Sequence, residues 1–146
     1  MTQPDLQALA DIEAIRNFKA LYGQRVDGLI SNFSPEALHL FGQLFTTDAV
    51  AEFGLPSGPL AGRGGIMEFI GSRVRAQRSW MWHSFHSPMI EVHGDNAVGR
   101  WTIYCLARAK NSSKVDVIVG RYQDEYLRTP EGWRQRRLIF TNESHN

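Results

Sequence analysis

The spacing of apolar positions changes period halfway along the chain. From Asp5 to Asp27 they fall at Leu6, Leu9, Ile12, Ile15, Phe18, Leu21 and Tyr22. Steps of three and four define one face of a helix. Pro4 and Asp5 suit its start, and Gly28 suits its stop. Ser34-Pro35-Glu36 signals a second start, with an N-cap serine, proline at the first helical position and an acid in the first turn. Leu38, Phe41, Leu44 and Phe45 carry this helix to about Thr46. Ala49 to Phe53 reads as a short strand. Gly54 to Gly65 holds five Gly and two Pro and reads as a loop or tight hairpin. Ile66 to Val74 fits a third helix, with Arg63, Arg73, Arg75 and Arg78 at its ends and outer face.

Beyond it the period becomes two. Trp80 to His93, Ala97 to Ala109, Val115 to Arg128 and Trp133 to Thr141 are rich in aromatic and β-branched residues. The polar segments Gly94-Asp95-Asn96, Lys110 to Lys114 and Thr129-Pro130-Glu131-Gly132 separate them, which predicts an antiparallel meander. Helices followed by strands predict an α+β fold. A strongly curved, mostly antiparallel sheet wrapped on three N-terminal helices makes a cone-shaped barrel with an internal apolar cavity. Eight Phe, four Trp and four Tyr suffice to line such a cavity as well as fill a core.

At 146 residues the chain reads as one domain, 1–146. Sixteen basic against fifteen acidic residues leave a net charge of +1, which argues against a nucleic-acid partner. No run approaches the ~20 apolar residues of a membrane span. The polar start Met-Thr-Gln-Pro-Asp-Leu has no signal-peptide pattern. The expectation is a soluble, cytoplasmic protein. The single Cys105 excludes an intrachain disulfide framework and a cysteine-based zinc site.

Four segments could carry chemistry. Tyr22 and Asp27, five residues apart, lie about 140° apart on a regular helix. They converge only if the helix end unwinds or a cavity wraps it. In Trp82-His83-Ser84-Phe85-His86-Ser87-Pro88, strand alternation sends His83, Phe85 and Ser87 to one face and Trp82, Ser84 and His86 to the other. Only one of the two histidines faces inward, so they do not share a metal, and His39, His93 and His145 sit in surface-like contexts. Gly120, Tyr122, Asp124 and Tyr126 share a strand face. In Trp133-Arg134-Gln135-Arg136-Arg137 the arginines form a basic outer surface unless one turns in to bind an oxygen-rich group. No phosphate loop or nucleophile elbow is present.

In order and spacing these pieces resemble the nuclear transport factor 2-like superfamily, in its SnoaL-like branch. The resemblance runs from Asp11-Ile12-Glu13-Ala14-Ile15 through Leu44-Phe45-Thr46-Thr47-Asp48-Ala49-Val50. It continues in His83-Ser84-Phe85-His86-Ser87-Pro88, Gly94 to Trp101, and Tyr122 to Tyr126 followed by Gly132-Trp133. The branch contains cofactor-independent lyases: bile-acid 7α-dehydratase, scytalone dehydratase and hexachlorocyclohexane dehydrochlorinase. The resemblance implies an Asp27–His83 pair with Tyr22 as the catalytic group, His86 turned away, and a dimer or trimer formed through the open sheet. Ile103 or Ile139 would be covered there. The bile-acid enzyme has a second catalytic Asp where this chain has Cys105. A thiol, with a reference pKa of about 8.5, does not replace a carboxylate.

The expected function is therefore a cofactor-independent, metal-free lyase acting on a hydroxylated aromatic or polycyclic small molecule, by dehydration or by C–C cleavage such as formaldehyde release. His83, unperturbed near pH 6.5, would be the base. Phe45, Phe53, Phe85, Trp101, Tyr104, Cys105 and Tyr122 are the expected substrate-binding residues, with Phe69 and Trp82 as further aromatic candidates. A steroid- or polyketide-type isomerase or cyclase, and a noncatalytic binding module, are the alternatives.

Overall fold

A computed structural model describes residues 3–144, so His145 and the first two residues lie outside it. The elements are α1 (Gln3–Ser31), α2 (Pro35–Gly42), β1 (Phe45–Glu52), β2 (Leu60–Ala61) and α3 (Arg63–Glu68). A π-helical turn (Phe69–Val74) and α4 (Arg75–Gln77) continue α3. Then come β3 (Arg78–His93), β4 (Asn96–Ala109), β5 (Asp116–Thr129) and β6 (Gly132–Asn142).

The four long strands form the expected antiparallel meander, within a sheet of order β2-β1-β6-β5-β4-β3 in which β1 runs parallel to β6. The architecture is α+β, with the helices on the concave face. The sheet is strongly curved but open, with β2 and β3 as free edges. Two features bend it. The β3–β4 register slips between His86 and Met89, where Ser87 adopts φ 50°, a left-handed conformation rare for a non-glycine residue. At Gly120 a Cβ would strike the Thr141 carbonyl and the Phe140 ring, so only glycine lets β5 and β6 approach there.

Helix α1 differs from expectation in two ways. It does not stop at Gly28 but runs to Ser31, where the Ser31 hydroxyl donates to the Asp27 carbonyl at 2.8 Å. Its buried face is Asp11, Ile15, Phe18, Lys19, Tyr22, Val26 and Leu29, whereas Leu6, Leu9 and Leu21 are exposed. Ser34 caps α2 by accepting from the Ala37 N–H at 3.0 Å. That helix ends at Gly42, and Phe45 opens β1 instead, opposite Gln135 of β6. Pairing of the adjacent Leu44 carbonyl with the Gln135 N–H, 2.8 Å, overrides the helical spacing of the apolar residues. Ile103 is buried in the core, not on an outer face awaiting a partner. No described helix is long and apolar enough to cross a membrane.

Candidate active site

Helix α1 crosses the free-edge strand β3, and the crossing is close because residue 23 is glycine. A Cβ there would stand 3.3 Å from the Phe85 ring and 3.7 Å from His83 Cβ. One turn further on, the Asp27 carboxylate meets His83 twice. It accepts the His83 backbone N–H at 3.0 and 3.2 Å, and its Oδ1 lies 2.6 Å from His83 Nδ1. A carboxylate oxygen has no proton to give, so Nδ1 donates to Asp27 and Nε2 is the ring nitrogen turned away from the carboxylate. The two side chains are 7 % and 22 % exposed.

Burial pulls the His83 pKa down, but hydrogen bonding to Asp27 and the neighbouring Cys105 thiol outweigh it and raise it to about 9. At neutral pH His83 is thus an imidazolium held by Asp27, not a group poised near 6.5.

Two spaces meet at this histidine. An inner cavity of about 140 Å³ is walled by Tyr22, His83, Cys105, Tyr122 and Asn142 together with Phe53, Phe69, Phe140, Met81 and aliphatic side chains. An outer cleft of about 600 Å³ runs between α1 and β3, lined by Asp27, Gln24, Trp80, Phe85 and Trp101 among others. Only Met81 and His83 line both. This resolves the angular problem of Tyr22 and Asp27. The helix does not unwind; His83 stands between them, so Tyr22 faces the inner cavity while Asp27 holds the ring from the cleft side. Cys105 is the cross-strand partner of His83.

Tyr22 and Tyr122 are hydrogen-bond neighbours, and burial raises the pKa of both phenols. They remain neutral donors throughout the working pH range. Their rings, with Phe85, also enclose the Lys19 ammonium at 4.2, 4.3 and 4.8 Å from the three centroids. Lys19 is fully buried, 2.8 Å from Asp124 and 3.1 Å from the Gln135 side-chain oxygen. Burial lowers its pKa and raises that of Asp124, each opposed by the attraction between them. Tyr126 donates to Asp124 at 2.7 Å, and Trp101 donates to the Tyr126 hydroxyl at 3.3 Å.

The remaining expected residues divide. Phe53, Cys105 and Tyr122 line the inner cavity. Phe85 and Trp101 line the cleft, and Phe85 stacks on His83 with centroids 6.1 Å apart. Phe45 is a core residue packed edge-on against Tyr22 and lines neither space. Tyr104, 46 % exposed, points away from the cavity, whereas Trp82, also exposed, lines the outer cleft. His86 is likewise exposed. Arg134, Arg136 and Arg137 line neither space, and Arg137 pairs with Glu52 at 2.9 Å. Among the described residues no group of three His, Cys, Asp or Glu could hold a metal ion.

Sequence reasoning missed Lys19, Met81 and the aliphatic cavity wall. Lys19 had a signal: it falls four residues after Ile15 and three before Tyr22, inside the buried stripe of α1.

Among solved structures, the chain is similar to a protein from Novosphingobium aromaticivorans provisionally named an aromatic ring hydroxylase. The two share 27 % identity and a TM-score of 0.81 over 94 % of this chain and 92 % of that one. A provisionally named scytalone dehydratase from the same organism shares 18 % identity over 92 % and 85 %, with TM-score 0.76. A type 2 hexachlorocyclohexane dehydrochlorinase shares 19 % over 95 % and 89 %, with TM-score 0.77. At such identities the last two establish the fold. No curated protein matches by sequence. The SnoaL-like domain model matches residues 7–139, a span holding every residue of the cavity wall but two, Phe140 and Asn142. With its cone of helices and curved sheet, this chain belongs to the SnoaL-like domain family of the nuclear transport factor 2-like superfamily.

Proposed function

We propose that the chain is a cofactor-independent acid–base lyase that removes water, or a small carbon fragment such as formaldehyde, from a hydroxylated ring compound. The observation that carries this reading is the Asp27–His83 pair, whose imidazole belongs to the wall of a small, partly open cavity that Tyr22 also lines. Neighbours named for dehydration and dehydrochlorination, both eliminations, lend support at the level of the fold.

In the proposed step, neutral His83 takes a proton from a carbon next to an electron-withdrawing group. The released pair forms the new double bond as the bond to the leaving hydroxyl breaks. The imidazolium then returns its proton to the departing oxygen, giving water. Asp27 stabilises the imidazolium and fixes the ring, and a positioned base of this kind contributes about 10²–10⁴-fold. Tyr22, paired with Tyr122, donates to the oxygen on which charge develops.

The convex sheet face exposes Tyr104 and Val117, which supports a homo-oligomer assembled there.

The test is a mass-spectrometric screen of hydroxylated phenols and ring ketols with wild type and His83→Ala side by side. A product lighter by water or formaldehyde, formed by wild type alone, is the expected result. An isobaric product would make the protein an isomerase or cyclase, and turnover surviving in His83→Ala would remove His83 as the base.

A further inference from the structure

We infer that the occupant of the inner cavity is a single ring with its oxygen at one end, a monocyclic phenol with a short side chain. A fused polycyclic skeleton does not fit within the inner cavity. The inference rests on the lyase reading for its chemistry and on the cavity for its size.

The cavity measures about 140 Å³. An apolar cavity of about 150 Å³ takes up one benzene molecule. Interiors packed at crystal density leave no slack for a fused second ring. The outer cleft adjoins this space at Met81 and His83 and lies on the Asp27 side of the imidazole, so the size limit is that of the inner cavity alone.

The lining also orients the ring. Phe53 and Phe69 stack on each other, 5.1 Å between centroids, and with Phe140 and Ile118 they form an apolar wall. The Tyr22 and Tyr122 hydroxyls stand together in the lining, near His83 and Cys105. A ring against the apolar wall presents its oxygen to the two phenols. Among the described residues no Lys, Arg, Asp or Glu lines the cavity. Its one ionic group is His83, already paired with Asp27, so a carboxylate or phosphate ester finds no counter-charge inside. Cys105 fits the same picture: its short side chain leaves a small surface opposite His83.

Equilibrium binding tests this directly. Phenol, 4-ethylphenol, 2-naphthol and estradiol are titrated against the folded full-length chain and followed by intrinsic fluorescence and ligand-observed NMR. 4-Ethylphenol binds wild type, 2-naphthol binds about tenfold more weakly or worse because the small inner cavity must be overpacked to hold it, and estradiol does not enter that cavity. Phe53→Ala enlarges the wall and brings 2-naphthol up to the affinity of 4-ethylphenol, while Val74→Phe fills the cavity and abolishes 4-ethylphenol binding. Wild-type binding of 2-naphthol or estradiol as tight as that of 4-ethylphenol overturns the inference, as does a failure of both single-ring phenols to bind. Because the readout is binding, monocyclic phenols that bind with this size limit but are never turned over would refute the lyase and leave the size assignment standing.

Discussion

Lys19 Nζ lies 2.8 Å from Asp124 Oδ2, and neither side chain reaches solvent. The pair sits behind the rings of Tyr22, Phe85 and Tyr122, so it underlies the wall that carries the proposed chemistry. Asp124 Oδ1 finds no hydrogen-bond partner among the described residues, which leaves Lys19 as the main compensation for a buried charge. Lys19→Met would strand that carboxylate and destabilise the fold by about 3–5 kcal/mol. Lys19→Met/Asp124→Asn removes both charges and costs less than the single change. Urea unfolding of the three proteins measures the difference.

The His83 pKa of about 9 has a defined sign in stability. A group whose pKa is raised on folding stabilises fully below its unfolded value, near 6.5, and that stabilisation is lost as pH rises through the folded value. Unfolding free energy therefore falls by about 3 kcal/mol across the window from 6.5 to 9, apart from other titrations. Asp27→Asn removes the carboxylate and flattens this part of the curve. In NMR titrations the His83 ring moves from an apparent pKa near 9 in wild type to one below it in the variant. Under the proposed mechanism, kcat/KM in wild type rises toward alkaline pH with the same apparent pKa, because neutral His83 is the reacting form.

Gly23 separates packing from stability. Alanine gains up to about 1 kcal/mol in helix propensity. The added methyl would press on Phe85 at 3.3 Å and on His83 at 3.7 Å. Gly23→Ala should unfold at nearly the wild-type midpoint yet lose turnover about tenfold or more, since small displacements of a base are costly. Unchanged kcat/KM would mean that the α1–β3 crossing does not set the position of His83.

Tyr122 and Tyr104 form a matched pair on opposite faces of the sheet. Tyr122→Phe removes a buried hydroxyl beside Tyr22, and kcat should fall about tenfold or more if that hydroxyl supports the donor. Tyr104→Phe alters an exposed residue and should leave the kinetics of the active site unchanged.

The meander was legible because its signals are local. Three polar turns mark where four long strands begin and end, and each strand starts or stops within about two residues of expectation. The ends of α1 and α2 were not. Gly28 stays helical because glycine is a weak stop when the next turn still buries Leu29 and Ile30. Phe45 carries helical spacing but lies where β6 offers a strand partner, and pairing prevailed. The facing of His83 rather than His86 came from the family resemblance, since alternation alone left both open. Tyr104 was misread because its neighbours Ile103 and Cys105 take the inner face, a register that a sequence of mixed aromatics does not announce. The buried face of α1 was misjudged for a related reason. Asp11 and Lys19 occupy it, each neutralised from a strand by Arg128 or Asp124, and a count of apolar residues passes over such positions.

The double grip of Asp27 makes this residue answer to two demands at once. β3 is a free edge of the sheet, and the N–H of His83 is one of the backbone groups through which another strand could add to it. By accepting that N–H, Asp27 guards the edge against aggregation while it also steers the imidazole. A relative lacking the proposed reaction would still be selected to keep an acceptor at position 27, whereas nothing in the guarding role requires an imidazole at 83. Persistence of Asp27 among relatives would therefore say little about turnover, and persistence of the His83 ring would say much more.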